Sequence, residues 1–473
     1  MNLGENPSLF TVSTKGELAF NSLGPDKRPM LQVVPLSGGA PREVAENVPW
    51  ADWSPDGTQL AVVRRQRGKS RIEYPIGKVL YESTDAFSSL RVSPDGKRLA
   101  FLDHPDPGDT RGFVSVIDLD GKKTVLTKPW GDTQALAWSP DGSEIWFAAA
   151  ESGAADALWA VTLSGKLRPL ESAPGRLVLF DVSHDGRVLV SREGVRYEIS
   201  ASAPGANKER DLSWFDISYL GDISRDGKTI LFGEEGSGGG PLYTTYIRKT
   251  DGSPAVRLGD GGPLSLSPDE RWALTILPKV PAQLQLLPTG AGESRLISPG
   301  DVTPQNGFSG WLPDGSGVVF GGTQKGHAAR LYLYHPASGK VEPITPEGYI
   351  SVVTPLSPDG RFIATFSPEG EPVICPLAGG KPEKIQGLEP GNLVVGWSAD
   401  SKSLYFISGL KFPITIFRLN LQSHRQEAWK TISPEDTAGA FGIPNIRITP
   451  DGKAYAYTFV RYLDDLFLVK GLK

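Results

Sequence analysis

Short apolar runs separated by turn residues recur along the whole chain, and the stretch from Ala137 to Leu170 shows the unit. An apolar strand ends at Trp138. Glu144-Ile145-Trp146-Phe147-Ala148 reads as a second strand, Ala157-Leu158-Trp159-Ala160-Val161 as a third and Leu167-Arg168-Pro169-Leu170 as a fourth. Ser152-Gly153 marks a loop, and Ser164-Gly165-Lys166 is a tight turn. Runs of this length bounded by Gly, Pro and Ser predict four antiparallel strands per repeat.

Between the first and second strand of each unit stands Ser-Pro-Asp-Gly or a near copy. Ten copies place aspartates at Asp56, Asp95, Asp141, Asp185, Asp226, Asp269, Asp314, Asp359, Asp400 and Asp451, between 39 and 51 residues apart. A strand-built period in the low forties marks a β-propeller, and each four-stranded unit is one blade. Pro presets φ at the second turn position, Asp accepts from nearby backbone N–H groups, and Gly takes the left-handed conformation. The ten aspartates are therefore expected to be structural turn residues rather than a catalytic set. A second series of turns, at Ser37-Gly38-Gly39, Asp120-Gly121-Lys122, Asp251-Gly252-Ser253, Ser338-Gly339-Lys340 and Ala378-Gly379-Gly380, joins third strands to fourth. Asp118 and Asp120 lack the further oxygen ligands of a calcium loop, so a hairpin is expected there.

Thr14-Lys15-Gly16 reads as a degenerate first copy, which brings the count to eleven repeats. Propellers close with about four to eight blades, so eleven predict two rings. The division falls into a first propeller over residues 1–212 and a second over 213–473. The last repeat offers three strands, 445–448, 454–459 and 466–469, and an earlier segment is expected to supply the fourth.

Composition narrows the function. The chain has 473 residues, 39% apolar and 22% charged, with 55 Gly and 40 Pro spread over the turns. A net charge of −5 excludes a duplex nucleic-acid binder, which needs a basic face. The single cysteine, Cys375, rules out an intrachain disulfide and reads as a buried strand residue. No apolar run approaches the length of a membrane span, and Met1 to Pro7 lack the features of a signal peptide. The chain as written is expected to be soluble, with no membrane insertion of its own.

Catalytic and cofactor motifs are missing. Gly68-Lys69-Ser70 imitates the end of a phosphate loop, but Val63 stands where that loop needs Gly. The cluster Arg64, Arg65, Arg67, Lys69 and Arg71 reads as an exposed hairpin, with an anion patch as the alternative. His104, His184, His327, His335 and His424 show no metal spacing, so neither metal nor cofactor is expected. A propeller peptidase would need a hydrolase domain with a Gly-x-Ser-x-Gly elbow, and the repeats leave no room for one.

The candidate binding surface is the rim where each fourth strand returns to the next innermost strand. Aromatic and acidic residues gather there: Trp50 with Asp52, Phe87 with Asp85, Trp130 with Asp132, Trp214 with Asp216, then Phe308, Tyr349 and Phe441. Such groups around a channel suit ligand capture. Packing between blades is the alternative for each ring.

The Ser-Pro-Asp-Gly repeats resemble those of TolB-type, WD-like bacterial propellers. Further segments are similar to the propeller region of acidobacterial-type membrane serine/threonine kinases: Ser70 to Glu82, Phe101 to Pro105, Arg210 to Trp214, Tyr455 to Tyr457, and Leu466 to Lys473. In that family a kinase domain, a membrane helix and the propeller follow in order. The resemblance implies a sensor or docking role outside the membrane, in the periplasm, and one more repeat upstream, giving two six-bladed rings. His-Arg-Asp, Asp-Phe-Gly and the Gly-rich nucleotide loop are missing here, so no catalytic residue carries over and the chain itself is not expected to be an enzyme. The expected partner is a protein, a peptide or a small envelope ligand. The alternatives are a hydrolase or lyase working in the channel, and a Tol–Pal-like envelope scaffold, which would need an α/β domain before the propeller.

Overall fold

The computed structural model describes residues 7–23, 29–66, 69–106, 109–151, 156–173, 175–236, 238–349 and 355–472. Among them every regular element is a strand, and the strands form eleven antiparallel sheets, most of them four-stranded. This is the all-β, blade-by-blade propeller architecture that the repeats predict. No helix among the described residues is long and apolar enough to cross a membrane.

The motif turn explains why each blade starts as it does. Ser54 Oγ donates to Asp56 Oδ1 (2.6 Å), and the same carboxylate oxygen accepts the Thr58 N–H (3.1 Å). Ser54 Oγ in turn accepts the Gln59 N–H (2.9 Å), so one serine and one aspartate close the hairpin between the first two strands. The hydroxyl–carboxylate bond recurs at Asp95, Asp141, Asp185, Asp226, Asp269, Asp359 and Asp400, and at Asp451 with Thr449 as donor. Asp314 has Leu312 in the serine's place and accepts from Ser316 instead. Hydrogen bonds from Ser139 and Ser183 hold the carboxyls of Asp141 and Asp185 down to about 2. Glu270 and Ser401 occupy the glycine position and still take the left-handed conformation, with φ of 56° and 57°.

The chain forms two compact units, residues 1–193 with 464–473, and residues 194–463. The first holds five sheets. Its first four are continuous in sequence, and each shares an apolar core with the next: Leu31 with Val62, Ile72 with Phe101, Val114 with Phe147, and Leu158 with Val190. No comparable core among the described residues joins the fifth sheet to the first. The second unit holds six sheets, and its cores run in a cycle. They pair Ile199 with Phe232, Leu231 with Leu287, Leu274 with Phe320, Val319 with Ile363, Ala364 with Phe406, and Ile416 with Tyr457. Tyr457 lies in the same sheet as Ile199, which completes the cycle. Cys375 sits in one of these cores, and burial pushes its thiol up to about 11.

The closing of the last repeat differs from the expectation. The strands Ala440–Ile448 and Tyr455–Arg461 are completed by two earlier strands, Arg196–Ser202 and Arg210–Asp211. The strand Asp464–Lys470 leaves that sheet and pairs instead with Arg187–Glu193 in the first unit. Residues 194–212 therefore lie in the second unit. The crossing needs close backbone approach: the Gly194 N–H donates to Leu463 O (2.9 Å), and a Cβ at Gly194 would stand 2.8 Å from that oxygen. Arg461 fastens the exchanged strand with two bonds to Glu198, at 3.1 and 3.2 Å.

Candidate binding channel

Six segments of the second unit, one at the start of each repeat and five of them innermost strands, line a cavity of about 210 Å³. Each contributes the residue four positions before its motif aspartate: Asp222, Ser265, Gly310, Pro355, Gly396 and Arg447. Small residues at four of these six places leave the space open. Side chains bond innermost strand to innermost strand. Asp222 accepts the Ile223 N–H (2.8 Å) through Oδ1 and the Leu266 N–H (2.9 Å) through Oδ2. Trp397 Nε1 donates to Pro355 O (2.8 Å), and Asn445 Nδ2 donates to Leu220 O.

Charge in the channel is sparse. Burial pushes the Asp222 carboxyl up, and the Arg447 guanidinium and the two N–H donors oppose that without cancelling it. Arg447 donates to Asn445 Oδ1 and to Ile446 O (3.1 Å), which fixes its side chain along the wall. Arg225 Nη2 reaches Pro313 O (3.0 Å) at the motif-turn end. Ser265 and Ser309 line the cavity, are less than a tenth exposed, and have hydroxyls with no hydrogen-bond partner among the described residues. The buried Nε1 of Trp311, another lining residue, has none either. All three atoms are closed off from solvent, so they lie within the channel wall rather than facing its open space, where an unpaired polar group is costly.

The same register recurs in the first unit. Asp52 Oδ2 accepts the Val92 N–H (2.8 Å), and its carboxyl is raised by burial against the opposing pull of Arg91. Arg91 Nη2 donates to Phe180 O (3.1 Å) and Trp138 Nε1 to Arg91 O (3.2 Å).

The aromatic rim residues divide. Phe87 and Trp130 are buried in cores between sheets, and Trp50 and Tyr349 are half-buried against them. Asp52 belongs to an innermost strand, and Asp132 is buried in an ion pair with Arg176. Asp85 and Asp216 are half-buried. Trp214 and Phe441 are exposed, and Arg248 stacks over Trp214 at 5.3 Å. Phe308 lies in the strand Val302–Trp311, and its side chain falls outside the described residues.

Two acidic groups stand out from the sequence reading because they carry no motif. Glu234 is buried near Trp214, accepts from Ser218 Oγ and from the Phe215 N–H (3.2 Å), and is pushed by burial up to about 7. Asp156 in the first unit pairs with Arg176 Nε at 2.9 Å, and burial followed by the neighbouring Asp132 charge pushes it up to about 8. Among the described residues no group of three or more His, Cys, Asp or Glu is placed to hold a metal ion.

No protein-family model matches the chain, and no curated protein matches it. Among solved structures it is similar to a putative TolB from Agrobacterium tumefaciens, at 19% identity over 57% of this chain and 99% of the other, with a TM-score of 0.43. It is similar to an oligogalacturonate lyase from Vibrio parahaemolyticus at 16% identity, 55% and 76% coverage and a TM-score of 0.37. TolB from Acinetobacter baumannii follows at 14% identity, 71% and 77% coverage and a TM-score of 0.22.

Proposed function

We propose that this chain is a non-catalytic binding module of two propeller rings, and that the ring formed by residues 194–463 captures a peptide, a protein or a small envelope ligand in its channel. The observation that carries the proposal is the cavity to which all six repeats of the second unit contribute, lined by Asp222, Arg225 and Arg447 among small residues. A concave site with a few convergent polar groups on rigid strands suits recognition. A hydrolase or lyase there would want a free acid or base. Asp222 is engaged by two backbone N–H groups, which supports a structural role for it.

The resemblance to kinase-linked propellers extends the reading to a sensor that works outside the membrane for a signalling kinase. A reading frame for a kinase and a membrane helix directly upstream would support that extension.

The channel itself is tested by filling it. A Cβ at Gly396 meets Tyr405 and Ile448 at 3.6 and 3.7 Å, ordinary contact distances, so Gly396→Leu narrows the cavity without displacing backbone. The wild-type chain should capture sequences from a displayed peptide library, and Gly396→Leu should lose them while unfolding at an unchanged temperature. Equal capture by both proteins, or none by the wild type, contradicts the channel reading.

A further inference from the structure

The strand Asp464–Lys470 is the outer edge of a three-stranded sheet, whereas the other four sheets of the first unit carry a fourth strand at that place. Its side chains lie open: Leu466 is 64% exposed, Phe467 44% and Leu468 59%. An unpaired row of backbone groups beside exposed apolar residues is a template for strand addition.

Charge along the edge selects the strand it takes. Within its own sheet Asp464 stands opposite Glu193, and Lys470 stands opposite Arg187. Both ends of the edge strand thus face like charge, which is unfavourable across a strand pair. Arg187 finds Asp185 (2.9 Å) and Asp465 finds Arg192 (2.7 Å), but Asp464 and Lys470 gain nothing from the neighbouring strand. The complement of a strand that is acidic at its start and basic at its end is the same strand reversed.

We propose that the strand Asp464–Lys470 pairs antiparallel with its counterpart in a second copy of this chain, about a two-fold axis at Phe467. In an antiparallel pair, residues directly opposite point their backbone groups the same way, so a self-paired strand has an even sum of opposing residue numbers. Of the even registers, the one centred on Phe467 pairs all seven residues. It places Asp464 opposite Lys470 of the partner subunit, and the reverse, on each side of the axis. Leu466 faces Leu468 of the partner subunit, and the two three-stranded sheets become one. The contact is isologous and closes at a dimer.

Sedimentation velocity of the full chain over a concentration series reads the association directly, and a dimer fraction that rises with concentration is expected. Asp464→Lys and Lys470→Asp each set like charges against each other twice across the axis and should weaken the dimer by roughly fivefold or more. Each also relieves a like-charge pair inside the sheet, so the monomer fold, checked by circular dichroism, is retained. An equimolar mixture of the two variants should recover the dimer, because every opposing pair is then complementary. Phe467→Cys supplies a cross-link at the axis, where opposing Cα atoms about 4.5–5.5 Å apart suit a disulfide. The remaining cysteine, Cys375, is buried. A chain that stays monomeric at every concentration overturns the proposal and leaves the edge to another protein's strand. So does a dimer that ignores both charge reversals, or one in which Phe467→Cys fails to cross-link on mild oxidation.

Discussion

The first unit carries five sheets on four shared cores, and the second carries six sheets on six. Blade design does not separate them, because the same hydroxyl–aspartate turn opens blades in both. The difference lies in where the chain ends its circuit. In the second unit, strands from residues 196–211 complete the final sheet, so segments remote in sequence hold each other in place. In the first, the final sheet is completed by a single strand from the C-terminus, and its outer edge stays open. Closure is thus a property of the strand exchange and not of the repeat.

The strongest way to break the comparison is to cut the exchange in the second unit. Arg461 is buried and bonds Glu198 across the exchanged pair. Arg461→Ala should cost about 3 kcal/mol in denaturant unfolding. A loss under 1 kcal/mol would show that the sheet closes without it. The inner aspartates come next. Asp222→Ala strands two backbone N–H groups and should cost about 2 kcal/mol, whereas Asp52→Ala strands one N–H and releases the half-buried Thr11 hydroxyl, which can reach water, and should cost about 1. Equal losses would remove this distinction between the channels.

A pH experiment sharpens the contrast from the first unit's side. Asp156 has a folded pKa near 8, raised above its ordinary value. Its contribution to stability is fully present below the unfolded pKa near 4 and is lost as pH rises through 8. Asp156→Asn should flatten the fall in stability between those limits, measured as unfolding midpoint against pH, and an unchanged slope would exclude Asp156 as its source. The smallest effects belong to the turns. Glu270→Gly and Ser401→Gly put glycine where φ is positive; Glu270→Gly should stabilise by about 0.5–1 kcal/mol and Ser401→Gly by less, because it loses the Asp359 N–H bond to Ser401 Oγ (3.2 Å). A destabilised variant in either case would show that the side chain matters more than the backbone conformation.

Much of this architecture is legible in the residues. The Ser-Pro-Asp-Gly period announces strands, hairpins and blades because the turn chemistry is local. The aromatic rim is not legible in the same way, and a backbone detail explains why. Several innermost strands carry a bulge just before the channel-facing position, as between Leu220 and Asp222 and between Val394 and Gly396. In the strand of Phe87 it coincides with Ser89 at a φ of 49°. One extra residue exchanges the two faces of a strand. Phe87, which stands before such a bulge, therefore turns into the core between sheets, and Trp130, just ahead of the strand Asp132–Trp138, is buried in another. The channel did leave a signal: Asp52, Arg91, Asp181, Asp222 and Arg447 all lie four residues before a motif aspartate. The exchange of strands between mid-chain residues 187–211 and the C-terminal repeat is legible only as a shortfall in the last repeat, since any strand of suitable pattern completes a sheet edge.

Native-state hydrogen exchange tests the contrast between the units most directly. The innermost strands of the second unit, Asn392–Trp397 and Ala440–Ile448, should exchange together and slowest, through a common unfolding step. The strands Ser8–Val12 and Asp464–Lys470 in the terminal sheets of the first unit should exchange earlier, by local opening. Equal protection in both sets, or earlier exchange in the second unit, would contradict a closed cycle of sheet cores in the second unit and an open series in the first.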